Sequence, residues 1–230
     1  MDFIIEGIQK AFQLIFFLNR EIFNIALLSL RVSLTAVGLA SLLGVFLGFL
    51  MAMKDYWGKR FSLALMNTLL ALPTVVIGLI VYSLISRRGP LGVFNLLYTP
   101  SAMVIGQFIL ATPIIIALTH SAVQGIDRRV RDTALTLGAT EIQCAWIVIK
   151  EARYAILAAI IAAFGRVIAE VGAAMMLGGN IKGSTRVMTT AIALETTKGE
   201  FGFAIALGII LLLVAFSINI LLHYFQSKMS

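Results

Sequence analysis

Residues 27–53 read LLSLRVSLTAVGLASLLGVFLGFLMAM. At about 1.5 Å per helical residue this stretch exceeds the roughly 30 Å hydrocarbon core of a bilayer, so it predicts a membrane-spanning helix. Runs 63–86, 102–123 and 201–222 are comparably apolar, and 154–177 makes a further run. Five spans place the termini on opposite sides. Composition agrees: 60% of the 230 residues are hydrophobic, 13% are charged and the mean hydropathy is +1.00, outside the range of a water-soluble domain. The expected fold is an all-α membrane protein with one transmembrane domain over 21–230 and no room for an ATPase domain.

Residues 3–18 place Phe3, Ile4, Gly7, Ile8, Ala11, Phe12 and Ile15 at helical spacing, which predicts an interfacial helix within 1–20. Asp2 and Glu6 precede the first basic residue, unlike a cleavable signal peptide. A single cysteine, Cys144, excludes an internal disulfide. The net charge of +7 suits anionic lipid or an anionic substrate; in a bilayer chain it does not imply nucleic acid.

The polar segment 124–153 carries Arg128, Arg129, Arg131, Lys150 and Arg153, which places it in the cytoplasm. The amino terminus is then outside and the carboxyl terminus inside. The charge bias is slight, since Lys54, Lys59, Arg60 and Lys228 join the inner side, while Lys10, Arg20, Arg87, Arg88, Lys182, Arg186 and Lys198 fall outside. A basic outer face suits an importer of anions. Pro73 and Pro113 lie inside spans, where each frees a carbonyl and kinks its helix, for packing or for gating. No internal repeat is evident, so a pathway needs a second subunit.

Within the long segment, Arg131-Asp132-Thr133-Ala134-Leu135-Thr136-Leu137-Gly138-Ala139 precedes the amphipathic EIQCAWIVIK. A short helix ending in a turn glycine can dock in a groove of a soluble partner, or be an ordinary intracellular loop. The segment resembles the cytoplasmic coupling loop of ABC importer permeases. Asp132, Thr133, Ala134 and Gly138 match the first half of that pattern and Val148 its isoleucine, whereas Lys150 and Glu151 replace its Leu-Pro.

Residues 164–183, FGRVIAEVGAAMMLGGNIKG, put Arg166 and Glu170 four residues apart inside a hydrophobic run. Insertion into lipid costs about 2.5 to 3.5 kcal/mol for such a residue at the bilayer centre, so both must face protein or water. The spacing lets them neutralise each other, although Arg before Glu is the less favourable order. They form either a packing pair or part of a pathway, with Arg166 as the group able to touch an anion. Gly172 permits close packing, and Met175 and Met176 are core or gate. GGNIKGST (178–185) fails as a P-loop because Ser184 stands where lysine must be and a membrane helix precedes it. It is either a plain turn or a loop whose backbone N–H groups, with Lys182 and Arg186, meet an anion or a docking protein.

Arg166, Glu170-Val171-Gly172-Ala173, Met176 and Gly179-Asn180-Ile181 resemble the signature of permeases for tetrahedral oxyanions, the molybdate, tungstate and sulfate group. The continuation Thr185–Thr196 is most similar to the tungstate branch. The resemblance implies a type I ABC importer permease core in the plasma membrane of a prokaryote. It implies a homodimer with the path between copies, two cytoplasmic ATPase subunits and an extracytoplasmic tungstate-binding protein. Coupling would fall to Arg131–Ala134 and Leu137–Ala139, and the pathway to Arg166, Glu170, Gly172, Met175, Met176, Gly179 and Asn180. No cofactor is expected in the chain itself, ATP and magnesium belonging to the partner. A molybdate or broader oxyanion permease, or an ATP-independent secondary transporter, are the rivals. His120 and His223 stand alone, and no cluster has metal-ligand spacing, so an enzyme is not expected.

Overall fold

A computed structural model describes residues 2–17 and 19–227, with side chains for all of these except 2–6, 10 and 15. The expectations resting on Phe3, Ile4, Lys10, Ile15 and Lys228 lie outside the described residues or side chains. Every regular element among the described residues is helical: α1 (Asp2–Phe16), α2 (Arg20–Met53), α3 (Lys59–Leu70), α4 (Thr74–Ile85), a single 3-10 turn (Gly92–Phe94), α5 (Pro100–Gln124), α6 (Arg128–Thr136), α7 (Glu141–Ile168), α8 (Gly172–Gly178), α9 (Met188–Thr197) and α10 (Phe201–Ser227).

The helices α2, α5 and α10 are each long and apolar enough to cross a bilayer. Counting the bent pairs α3–α4 and α7–α8 as one span each gives as many as five. Two of the expected runs are therefore broken rather than continuous. The run 63–86 divides at Ala71-Leu72-Pro73 with a bend of 98°. Proline lacks the N–H that would continue the ladder and pushes the preceding residue out of the helical region, so the predicted kink becomes a break. Pro113, by contrast, is absorbed within a continuous α5. The run 154–177 starts earlier than expected and divides after Ile168 with a bend of 62°. Residues 141–153, expected as part of a loop, are the first turns of α7.

Small residues set the closest packing. Ser29, Ser33, Ala36, Ala40, Gly44 and Gly48 lie on the buried face of α2. A Cβ added at Gly48 would lie 2.6 Å from the Ile116 carbonyl oxygen and 2.9 Å from Thr119 Cβ, so the backbones of α2 and α5 touch there. Phe49, Val123, Val148 and Ala152 close the core at one end. Ile22, Ile25, Ile168, Met188 and Leu207 close it at the other, with Ala11 of α1 fully buried among them. The first end carries α6; the second carries the start of α2 and the loop 179–187. These are the groupings that alternating spans require.

Candidate functional site

The break in the α7–α8 pair is built around Glu170. Its backbone N–H still donates to Val167 O at 3.1 Å, and its carbonyl accepts from the Thr189 hydroxyl at 2.7 Å. Its carboxylate accepts from the Ala173 N–H at 3.1 Å, taking up one of the orphan donors at the start of α8. The other carboxylate oxygen stands 3.6 Å from an Arg166 guanidinium nitrogen. The predicted pair thus exists, but it bridges a helix end rather than two turns of one helix.

The two partners differ in exposure. Glu170 is buried at 4%, whereas the Arg166 side chain is 58% exposed on the surface of the single chain. A cavity of 20 Å³, room for about one water, lies against the pair and is lined also by Leu70, Thr74 and Leu110. Gly172 explains why α4 and α8 meet here. A Cβ on it would come within 2.7 Å of Val75 Cγ2 and 3.2 Å of Thr74 Oγ1, so the first turn of α8 rests on the first turn of α4. The two chain breaks therefore touch. Met176 packs beside Gly78 of α4, and both Met175 and Met176 are half-buried.

Gly179 ends α8 at φ +68°, and Asn180 follows at φ +52°. The Asn180 amide donates to Thr190 O at 3.1 Å and accepts from the Thr190 hydroxyl at 3.0 Å. The loop beyond closes on itself: the N–H groups of Ser184, Thr185 and Arg186 all donate to Ile181 O at 3.0–3.1 Å. The buried Thr185 hydroxyl donates to Gly178 O and accepts from Ile181 N–H. Of the two readings open for this loop, these bonds favour the plain turn, because the N–H groups of Ile181, Ser184, Thr185 and Arg186 are already donated within it.

Lys182 and Arg186 also differ. Lys182 remains exposed and pairs with Glu21 at 2.8 Å. Arg186 turns inward, its side chain 10% exposed, between Glu195 at 3.5 Å and Glu21 at 3.8 Å. Lys198 reaches Glu195 at 3.0 Å. The charges predicted for outer contact thus clamp the start of α2 to the loop and to α9, and only Lys182 of the two keeps an open face.

At the opposite end, Asp127 caps α6 by accepting from Arg129 N–H at 2.9 Å. Gly138 ends the turn after α6 at φ +83°, a conformation that favours glycine. A capping box between Thr140 and Gln143 then starts α7. Arg131 spans the turn to Glu141 at 3.1 Å. Of the residues expected to couple, Asp132, Thr133, Leu137 and Gly138 are exposed, Arg131 and Ala139 are half-buried, and Ala134 is buried against the fold. Ala134 thus supports α6 rather than its outer face. Ile142 and Trp146 join Leu137 among the exposed apolar groups near the turn. Neither is among the residues expected to couple, although the one-sided pattern of EIQCAWIVIK carries them opposite the buried Cys144 and Val148. Beside α6, a polar cavity of 560 Å³ is lined by Asp55, Lys59, Arg128, Arg131 and Asp132. The hydrogen bond and charge of Lys59 hold the Asp55 carboxyl below its usual range.

Residues 44–230 match the family described as "Binding-protein-dependent transport system inner membrane component". The chain is 37% identical to the tungstate uptake system permease of Peptoclostridium acidaminophilum, covering 99% of this chain and 100% of that protein. It is 41% identical to the tungstate uptake system permease of Campylobacter jejuni, covering 97% and 93%. Among solved structures, a chain of the inward-facing MetNI methionine ABC transporter superposes with a TM-score of 0.73 at 14% identity, over 95% of this chain and 98% of that one. That likeness concerns the fold of a type I ABC importer permease.

Proposed function

Because the chain belongs to the family of binding-protein-dependent transport system inner membrane components, we propose that it is the permease of an ATP-driven importer that moves tungstate across a prokaryotic plasma membrane. The observation that carries this reading is near-full-length similarity to two tungstate uptake permeases. The proposed assembly has two copies of this chain, two cytoplasmic ATPase subunits that hold ATP and magnesium, and an extracytoplasmic tungstate-binding protein. The end carrying α6 is cytoplasmic; the amino terminus is outside and the carboxyl terminus inside.

Two parts of this assembly have geometric support. The exposed face of α6, with Leu137 beyond it, suits a groove in a soluble ATPase. The half-exposed Arg166 needs protein or water beside it, which a path between two copies supplies. ATP draws the ATPases together, the α6 elements follow and the path turns outward; hydrolysis resets it.

The test is uptake into proteoliposomes containing the chain, its ATPase and its binding protein, with molybdate and sulfate as competitors. Uptake of tungstate that needs ATP and both partners, and that resists the competitors, is the expected result. Equal competition by molybdate would make it a broader oxyanion permease, and uptake without the ATPase would make it a secondary transporter.

A further inference from the structure

At the α6 end, a cavity of 630 Å³ opens between α5, α7 and α10. Ala155, Ala159 and Ala162 lie along the α7 side, so the groove is narrow in chemistry and wide in space: methyl groups line it where larger side chains would fill it. Its rim carries Lys150, Glu151 and Arg153, a net positive charge at the level where α7 leaves the apolar core.

The two cations are held in position. An Arg153 guanidinium nitrogen donates to Lys150 O at 3.3 Å, and the guanidinium lies over the Tyr154 ring at 4.6 Å. The Lys150 ammonium stands 5.6 Å from the centre of the Trp146 ring. Tyr154 in turn stacks against Phe225 of α10 at 6.3 Å. Aromatic groups with a polar edge settle at the headgroup level of a bilayer, and basic pockets between membrane helices recognise anionic headgroups.

We propose that this groove binds one anionic phospholipid, with its phosphate between Lys150 and Arg153 and an acyl chain along the alanines. Three features select this occupant over a neutral lipid or a second copy of the chain: the position at the membrane boundary, the positive rim, and an alanine floor open enough for a flexible hydrocarbon tail. The inference rests on membrane embedding alone and is independent of the transported anion.

The chain has two tryptophans, Trp57 and Trp146, so Trp57→Phe leaves Trp146 as a fluorescent reporter beside the rim. The full-length protein is reconstituted in phosphatidylcholine vesicles doped with either brominated phosphatidylglycerol or brominated phosphatidylcholine, and quenching of Trp146 is titrated. Brominated phosphatidylglycerol should quench with about tenfold higher relative affinity, the order expected of two basic groups opposed by one acid. Lys150→Gln combined with Arg153→Gln should bring the two lipids to parity. Ala162→Leu, which fills the groove and leaves both charges, should weaken quenching by phosphatidylglycerol on its own. Equal quenching of the parent protein by the two lipids overturns the proposal, as does a preference that survives the double substitution. A Trp146 shielded from both lipids overturns it in favour of a second copy.

Discussion

The Thr189 hydroxyl donates to the carbonyl of Glu170 at 2.7 Å, tying the first turn of α9 to the break between α7 and α8. Both residues are buried, so Thr189→Val strands an acceptor away from water and should destabilise the protein by about 1 to 3 kcal/mol. Thermal unfolding in detergent measures this directly. An unchanged midpoint would mean that the break holds its shape without α9.

Arg166 and Glu170 should behave as one unit in transport. Arg166→Gln and Glu170→Gln are each expected to lower ATP-driven tungstate uptake. The double variant should be no worse than the more damaging single one, a coupling of about 0.5 to 3 kcal/mol. Glu170→Gln retains an acceptor for the Ala173 N–H, so its fold should survive. Strict additivity in a double-mutant cycle on uptake rates would show that the pair does not act together.

Gly48 and Gly38 lie on the same helix and make opposite demands. Gly48→Val drives a side chain into the Ile116 carbonyl and should cost about 1 to 3 kcal/mol or more, since the backbones of α2 and α5 must separate. A Cβ at Gly38 meets nothing within 4 Å, so Gly38→Ala should be neutral or slightly stabilising. Paired melting curves decide the matter; equal effects at the two sites would contradict the packing described.

Leu137→Asp should leave the permease folded, because the side chain is 83% exposed, while reducing its association with the ATPase by about tenfold or more. Co-purification of the two subunits gives the readout. Undiminished association would place the ATPase contact elsewhere.

How far these sites could be read from the sequence depended on how local their causes are. The turn at Gly138 and the end of α8 at Gly179 were legible because a glycine at the end of a periodic run is a short-range signal. Pro73 announced a disturbance, although its 98° size depends on what α4 packs against. The split after Ile168 has no proline to mark it; it is held by Thr189 and by the Ala173 N–H, partners that helical periodicity does not reveal. Likewise, nothing near Arg186 in the chain indicates that Glu21, at the start of α2, helps turn it inward. Lys150, Glu151 and Arg153 hide the start of α7 at Glu141, because charged residues continue the helix beyond the apolar core, where hydropathy no longer marks it.

Gly172 seats the start of α8 on Thr74 and Val75, so the bends in α3–α4 and α7–α8 share a bearing surface. Two joints that touch at Gly172 are coupled in their flexing. Opening either angle loads the other, and the four half-helices form a linkage with fewer freedoms than two separate hinges would give. A substitution at position 172 therefore acts on both arms at once, however small the side chain it introduces.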